Sequence, residues 1–206
     1  MIDLPAPDPH VEITVASTGI SKGLAQMDGP QLEVISGVSL GSFSINGYAK
    51  NIQSSGDNGV EIGASVGFER ELGGTELSVN IGYKTLSAID TDDPSALEVE
   101  AIATRSFGPV SVSATAIYTP DDTGSTDQAV FGEAELTWEV AEKIEVGAAL
   151  GRRERDGSPD YTAFNVGISH EPLTGVTIDL RYYVTDREDE GEQYQPGLVA
   201  SARARF

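Results

Sequence analysis

Along most of this chain apolar and polar residues alternate with a period of two. Val60, Ile62, Ala64, Val66 and Phe68 are interleaved with Glu61, Gly63, Ser65, Gly67 and Glu69. Leu77, Val79, Ile81 and Tyr83 are interleaved with Ser78, Asn80, Gly82 and Lys84. Successive side chains of a strand point to opposite faces, so each such segment has one apolar and one polar face. The pattern predicts strands over 11–21, 31–40, 43–52, 60–72, 76–86, 97–106, 110–118, 129–140, 144–153, 161–170, 176–185 and 198–206. No helical periodicity of comparable length competes with it.

The connections between these runs sort into two kinds. Every second one is tight: Gly41-Ser42, Gly73-Gly74, Gly108-Pro109, Glu142-Lys143 and Thr174-Gly175. These are turn-forming residues with room for a hairpin reversal and little else. The odd-numbered connections read as longer, such as 89–96, 119–128 and 186–195. Aspartates cluster on that side: Asp57, Asp90, Asp92, Asp93, Asp121, Asp122, Asp127, Asp156, Asp160, Asp186 and Asp189. The tight turns hold none, so turn chemistry alone does not explain the placement. A soluble sandwich has no reason to put its long loops at one end. The expectation is an all-β fold, a transmembrane antiparallel up-and-down β-barrel of about twelve strands with short periplasmic turns and longer acidic extracellular loops.

The register gives that barrel two faces. Val34, Ile45, Val66, Val79, Val99, Val112, Leu136, Val146, Val166, Ile178 and Ala202 form an outer face that no charge need share. This matters because Lys or Arg facing lipid at midplane costs about 2–4 kcal/mol. Tyr83, Tyr118, Trp138 and Tyr182 lie near strand ends on that face, where interfacial aromatics belong. The polar face predicts a pore lined by Glu61, Glu98, Glu100, Glu133, Glu135, Lys84, Arg181, Arg203 and Arg205, with acids crossing to bases near the three arginines. Twelve strands lie between the filled eight-stranded barrel and the open sixteen-stranded porin, so a narrow lumen is expected.

Composition narrows the picture further. The 206 residues suit one domain, read as an N-terminal arm over 1–10 and a barrel over 11–206. The absence of cysteine excludes disulfides and thiolate metal sites. No apolar stretch approaches the roughly 18 residues of a membrane helix, which leaves a barrel untouched. The mean hydropathy of -0.18 does not separate soluble from barrel proteins. A net charge of -20 argues against nucleic acid as a partner. Met1-Ile2-Asp3-Leu4-Pro5 lacks the basic start and apolar core of a signal peptide, and the expectation is a mature form with Met1 in place of its signal.

Chemistry is sparse. His10 and His170 are the only histidines, and His170 falls beside a tight turn rather than at an external rim. No catalytic site is therefore expected. Asp90-Thr91-Asp92-Asp93 and the acidic run 186–191 are oxygen-rich, but the second would need Glu at loop position twelve and has Gly197. No metal site and no cofactor are expected.

Residues 16–30, Ala16-Ser17-Thr18-Gly19-Ile20-Ser21-Lys22-Gly23-Leu24-Ala25-Gln26-Met27-Asp28-Gly29-Pro30, resemble the TorF family of outer-membrane porins. That family shows an aromatic-Arg-Gly-x-Ser-Gln stretch and an Asp-Gly-type turn at the end of its first strand. Here Ser21, Lys22 and Ala25 replace the aromatic, the Arg and the Ser. Residues 42–52 are similar to the family's next segment, an aromatic-rich strand ending in small residues and Asn. The terminal Phe206 resembles the signal read by the barrel-assembly machinery. The resemblance implies a channel in the bacterial outer membrane. The expected partners are outer-membrane lipid and lipopolysaccharide, the assembly machinery, and ions or small solutes. A monomer and a weak cation preference are expected. Two alternatives remain: a non-conducting surface barrel whose acidic loops bind a partner or divalent cations, and a soluble ligand-binding barrel.

Overall fold

A computed structural model describes residues 5–54 and 57–206. Its strands are β1 (Asp8–Ala16), β2 (Ile20–Ser21), β3 (Leu24–Ala25), β4 (Gln31–Leu40), β5 (Phe43–Ser54), β6 (Asp57–Leu72) and β7 (Thr75–Ser87). They continue as β8 (Ser95–Phe107), β9 (Val110–Thr119), β10 (Ala129–Ala141), β11 (Ile144–Arg155), β12 (Tyr161–Leu173), β13 (Val176–Thr185) and β14 (Gly197–Arg205). β1 and β4 to β14 close a barrel of antiparallel neighbours, and β2 and β3 form a separate hairpin. Closure is made by β1, which pairs with β4 from Asp8↔Ser39 to Ala16↔Gln31 and with β14 from Glu12↔Arg205 to Ala16↔Ser201. Phe206 extends the seam. Its N–H donates to the Val11 carbonyl at 2.9 Å, and the Val11 N–H donates to its carbonyl at 3.1 Å.

The tight turns are built as their residues dictate. Gly73 and Gly74 both hold positive φ, 61° and 77°. That is the backbone of a hairpin turn whose twist matches the flanking strands.

Three boundaries differ from the sequence pattern. The first run, 11–21, stops at Ala16: β4 begins only at Gln31, opposite Ala16, and after a last bond from the Ser17 N–H to the Ala200 carbonyl at 2.8 Å the chain leaves β14, which itself continues back to Gly197. The expected arm over 1–10 gives up residues 8–10 to β1, where His10 pairs with Gly37; residues 1–4 lie outside the described part. The third connection is not long: β5 and β6 stay paired out to Gln53↔Asn58 and Ser54↔Asp57, and residues 55 and 56 lie outside the described part.

The outer face is apolar and exposed, with Ile45, Val66, Leu150 and Ile178 each half or more open to the surroundings. Tyr83, Tyr118 and Tyr182 ring the long-loop end. Phe43, Phe68, Phe107 and Trp138 ring the short-turn end, with the Phe43 and Phe68 rings 5.1 Å apart. The outer face is not entirely free of charge, as the sequence pattern would allow. Arg70 (opposite Leu77), Arg105 (opposite Val112) and Arg152 and Glu154 (on β11) share its register. All four sit near strand ends, where the cost of facing lipid falls to about 0–1 kcal/mol.

Candidate functional site: the barrel lumen

The polar faces of the twelve strands line the interior, and the first long connection folds into it. Residues 17–30 turn inward at the long-loop end, and β2 and β3 pair as Ile20↔Ala25 and Ser21↔Leu24. The Gln26 N–H donates to the Gly19 carbonyl at 2.8 Å, and the Gln53 N–H donates to the Gln26 carbonyl at 2.9 Å. These bonds satisfy backbone groups that have left the ladder. The hairpin is seated by an apolar cluster of Leu24, Tyr161, Ala163 and Tyr194, with Tyr161 fully buried. The Tyr161 hydroxyl donates to the Lys22 carbonyl at 2.6 Å. Gly23 has φ +82°, and a Cβ there would lie 2.3 Å from the Ala163 methyl. Only glycine meets both conditions at this position.

The hairpin tip carries Lys22 into a charged cluster. Lys22 and Lys84 both pair with Glu98, Lys84 at 3.3 Å. Lys84 also pairs with Asp122 at 3.1 Å, and Asp122 pairs with Arg153. The Thr119 hydroxyl adds a bond to Glu98 at 3.4 Å. Beside it, Lys50 pairs with Glu61 at 3.1 Å, and the Tyr48 hydroxyl donates to the same carboxylate at 2.8 Å. Burial favours the neutral form of Asp122, but Lys84, Lys22 and Arg153 outweigh it and hold its carboxyl below the ordinary aspartate value. For Lys22, burial and then the Lys84 charge bring the amine below the ordinary lysine value.

Two spaces flank the tip. The outer one, of about 180 Å3, is lined by Lys22, Lys84, Arg153 and Arg155 against Glu61 and Asp122. The inner one, of about 560 Å3, is lined by Glu98, Glu100, Glu133 and Glu135 against Lys22 and Arg181. Arg181 pairs with Glu135 at 3.3 Å and Asp179 at 3.5 Å, and it donates to Asn165 at 2.7 Å. Its stem lies over Gly167, where a Cβ would come within 2.9 Å of Cγ. The Asn80 amide donates to Glu100 at 3.1 Å. Among the described residues Glu133 makes no ion pair.

Seven of the nine residues predicted to line a pore thus face these two spaces: Glu61 and Lys84 the outer, Glu98, Glu100, Glu133, Glu135 and Arg181 the inner. Arg203 and Arg205 share the inward register, opposite Thr14 and Glu12, but lie at the short-turn mouth. They do not join Arg181, because β14 runs past its level by the time it reaches them: Arg181 is opposite Val199. Alternation alone does not mark Lys22, Asp122, Arg153, Tyr161 and Tyr194 as site residues. Lys22 and Asp122 lie on connections, where a period of two carries no information about direction. One trace was readable: residues 17–30 carry a single acid, Asp28, among long connections that are otherwise strongly acidic. His170 faces outward at the short-turn end, with Nδ1 3.0 Å from the Lys143 carbonyl. Among the described residues no group of acids and histidines is arranged to hold a metal ion.

A sequence profile described as Gram-negative porin matches residues 15–190. No curated protein sequence matches the chain. Solved barrels share the fold at low identity. A KdgM porin in complex with disordered oligogalacturonate superposes with a TM-score of 0.64 at 11% identity, covering 96% of this chain and 99% of that one. The NanC porin gives 0.63 at 6% identity, covering 95% and 97%. An outer-membrane channel from Pseudomonas putida gives 0.56 at 11% identity, covering 100% and 97%.

Proposed function

The chain belongs to the Gram-negative porin family and is a channel protein of the bacterial outer membrane; on that premise we propose that it is a narrow, passive, monomeric pore for ions and small solutes with a weak preference for cations. The observation that carries this reading is the space of about 560 Å3 beneath the hairpin, which has four carboxylates against two bases on its wall. Wall charge of one sign concentrates counter-ions in a low-dielectric channel. The hairpin Ile20–Ala25 narrows the passage above it, in keeping with small solutes rather than large ones. It is formed by the segment that resembles the TorF porins, which supports the reading of the chain as one of that branch. The oligogalacturonate of the KdgM complex is not carried over, because Glu100, Glu133 and Glu135 would repel a polyanion. Transport here needs no chemistry and no cofactor. Lipopolysaccharide against the outer band and the assembly machinery at Phe206 complete the set of partners.

One observation favours a second reading. The hairpin is seated by Leu24, Tyr161 and Tyr194 as firmly as a small core, which would suit a plugged barrel whose acidic loops bind a partner or divalent cations. A soluble barrel is disfavoured by the exposed apolar band. Reversal potentials across a planar bilayer under a salt gradient test the selectivity. Cations should be preferred, less so at high salt, which screens the wall. Replacing Glu100, Glu133 and Glu135 with Gln should reduce the preference. Anion preference in the parent protein would show instead that Arg181 or the Lys22 cluster controls the passage.

A further inference from the structure

The two spaces beside the hairpin carry opposite surplus charge. Apart from Lys22, which borders both, the outer has three bases against two acids, and the inner has four acids against one base. They are not remote from one another. Ser21 and Lys22 border both, and Glu98 on the inner wall bonds Lys84 on the outer wall at 3.3 Å. In the outer space, Arg155 makes no ion pair with a carboxylate among the described residues. It donates to the Pro159 carbonyl and the Tyr194 hydroxyl and lies 5.1 Å from the Tyr161 ring. Arg153 Nε is buried there without an acceptor among the described residues. In the inner space, among the described residues, Glu133 makes no ion pair and Glu100 is met by the Asn80 amide.

From this arrangement we propose that the pore favours small dipolar ions, solutes that carry a carboxylate and an ammonium group at once, such as free amino acids. The proposal rests on the channel reading above. A simple anion entering from outside gains at Arg155, Lys84 and Arg153 and is then repelled by Glu100, Glu133 and Glu135. A simple cation meets the reverse. A dipolar ion with its carboxylate toward the outer bases and its ammonium toward the inner acids is favoured at both levels. It also leaves no net charge for either wall to reject. An uncharged solute of the same shape gains from neither.

Liposome swelling with the reconstituted protein separates these cases. Alanine and lactamide have nearly the same size and shape, and only alanine is dipolar. After subtraction of the protein-free rate, alanine should enter about fivefold faster than lactamide, the scale one exposed ion pair supplies. The ratio should fall toward one in R155Q and in E133Q, two substitutions on opposite sides of the hairpin. Retained heat-modifiable gel mobility would show that each variant folds. Potassium chloride conductance is measured on the same preparation. Conductance with an alanine-to-lactamide ratio of one or less would overturn the proposal and leave the channel standing. Absence of both conductance and swelling would overturn the channel reading, and the proposal with it.

Discussion

At the scale of single residues the lumen is organised around Gly23 and Asp122. Gly23 is the point where the inserted segment meets the wall, and a side chain there meets both an unfavourable φ and the Ala163 methyl. The backbone term alone is about 1–3 kcal/mol. Gly23→Val should therefore unseat the hairpin and raise the single-channel conductance while leaving heat-modifiable mobility intact. An unchanged conductance would show that the hairpin is not the constriction. Asp122 is shared by Lys84 and Arg153, both largely buried. Because its folded pKa lies below the unfolded value, its stabilisation is complete above the ordinary value of 3.8 and is lost as pH falls through the lower folded one. Asp122→Asn should lower the unfolding temperature in detergent at neutral pH, with a cost approaching the about 3–5 kcal/mol of a broken buried pair. The difference from the parent should shrink once the pH is brought well below 3.8. A difference that is the same at both pH values would contradict this assignment.

At the scale of elements, the closing strand is the most exposed to test. The Phe206 backbone makes two hydrogen bonds to Val11 at the β1–β14 seam, and the residue is 77% exposed. Deleting it should reduce the amount of heat-modifiable protein in the outer membrane of cells, and normal insertion would show that the terminal aromatic is incidental. All twelve barrel strands were legible in the alternation, because one face meets an apolar surround and the other an aqueous lumen along their whole length. What alternation does not mark is where a strand leaves its neighbours. The run 11–21 alternates clearly only through Val11, Ile13 and Val15, and the ladder ends at Ala16, where the chain turns into the barrel. The same limit applies to the site. Glu98, Glu100, Glu133 and Glu135 follow from strand parity, whereas Lys22 and Asp122 reach the lumen through loop conformation. Arg153 sits on β11 with inward parity, but its role depends on Asp122, whose loop conformation strand parity does not encode.

For the molecule as a whole, a continuous apolar band outside a charged interior is stable only where lipid or detergent covers the band. Unheated protein in detergent should migrate faster than boiled protein, and a monodisperse monomer without detergent would contradict the membrane placement. The central claim is that this closed barrel conducts past its inserted hairpin, and single-channel recording of the folded protein in a planar bilayer tests it most directly. The account requires small, discrete conductance steps on insertion, larger in Gly23→Val than in the parent protein. Folded protein that inserts into the bilayer and yields no steps, with or without that substitution, would contradict it.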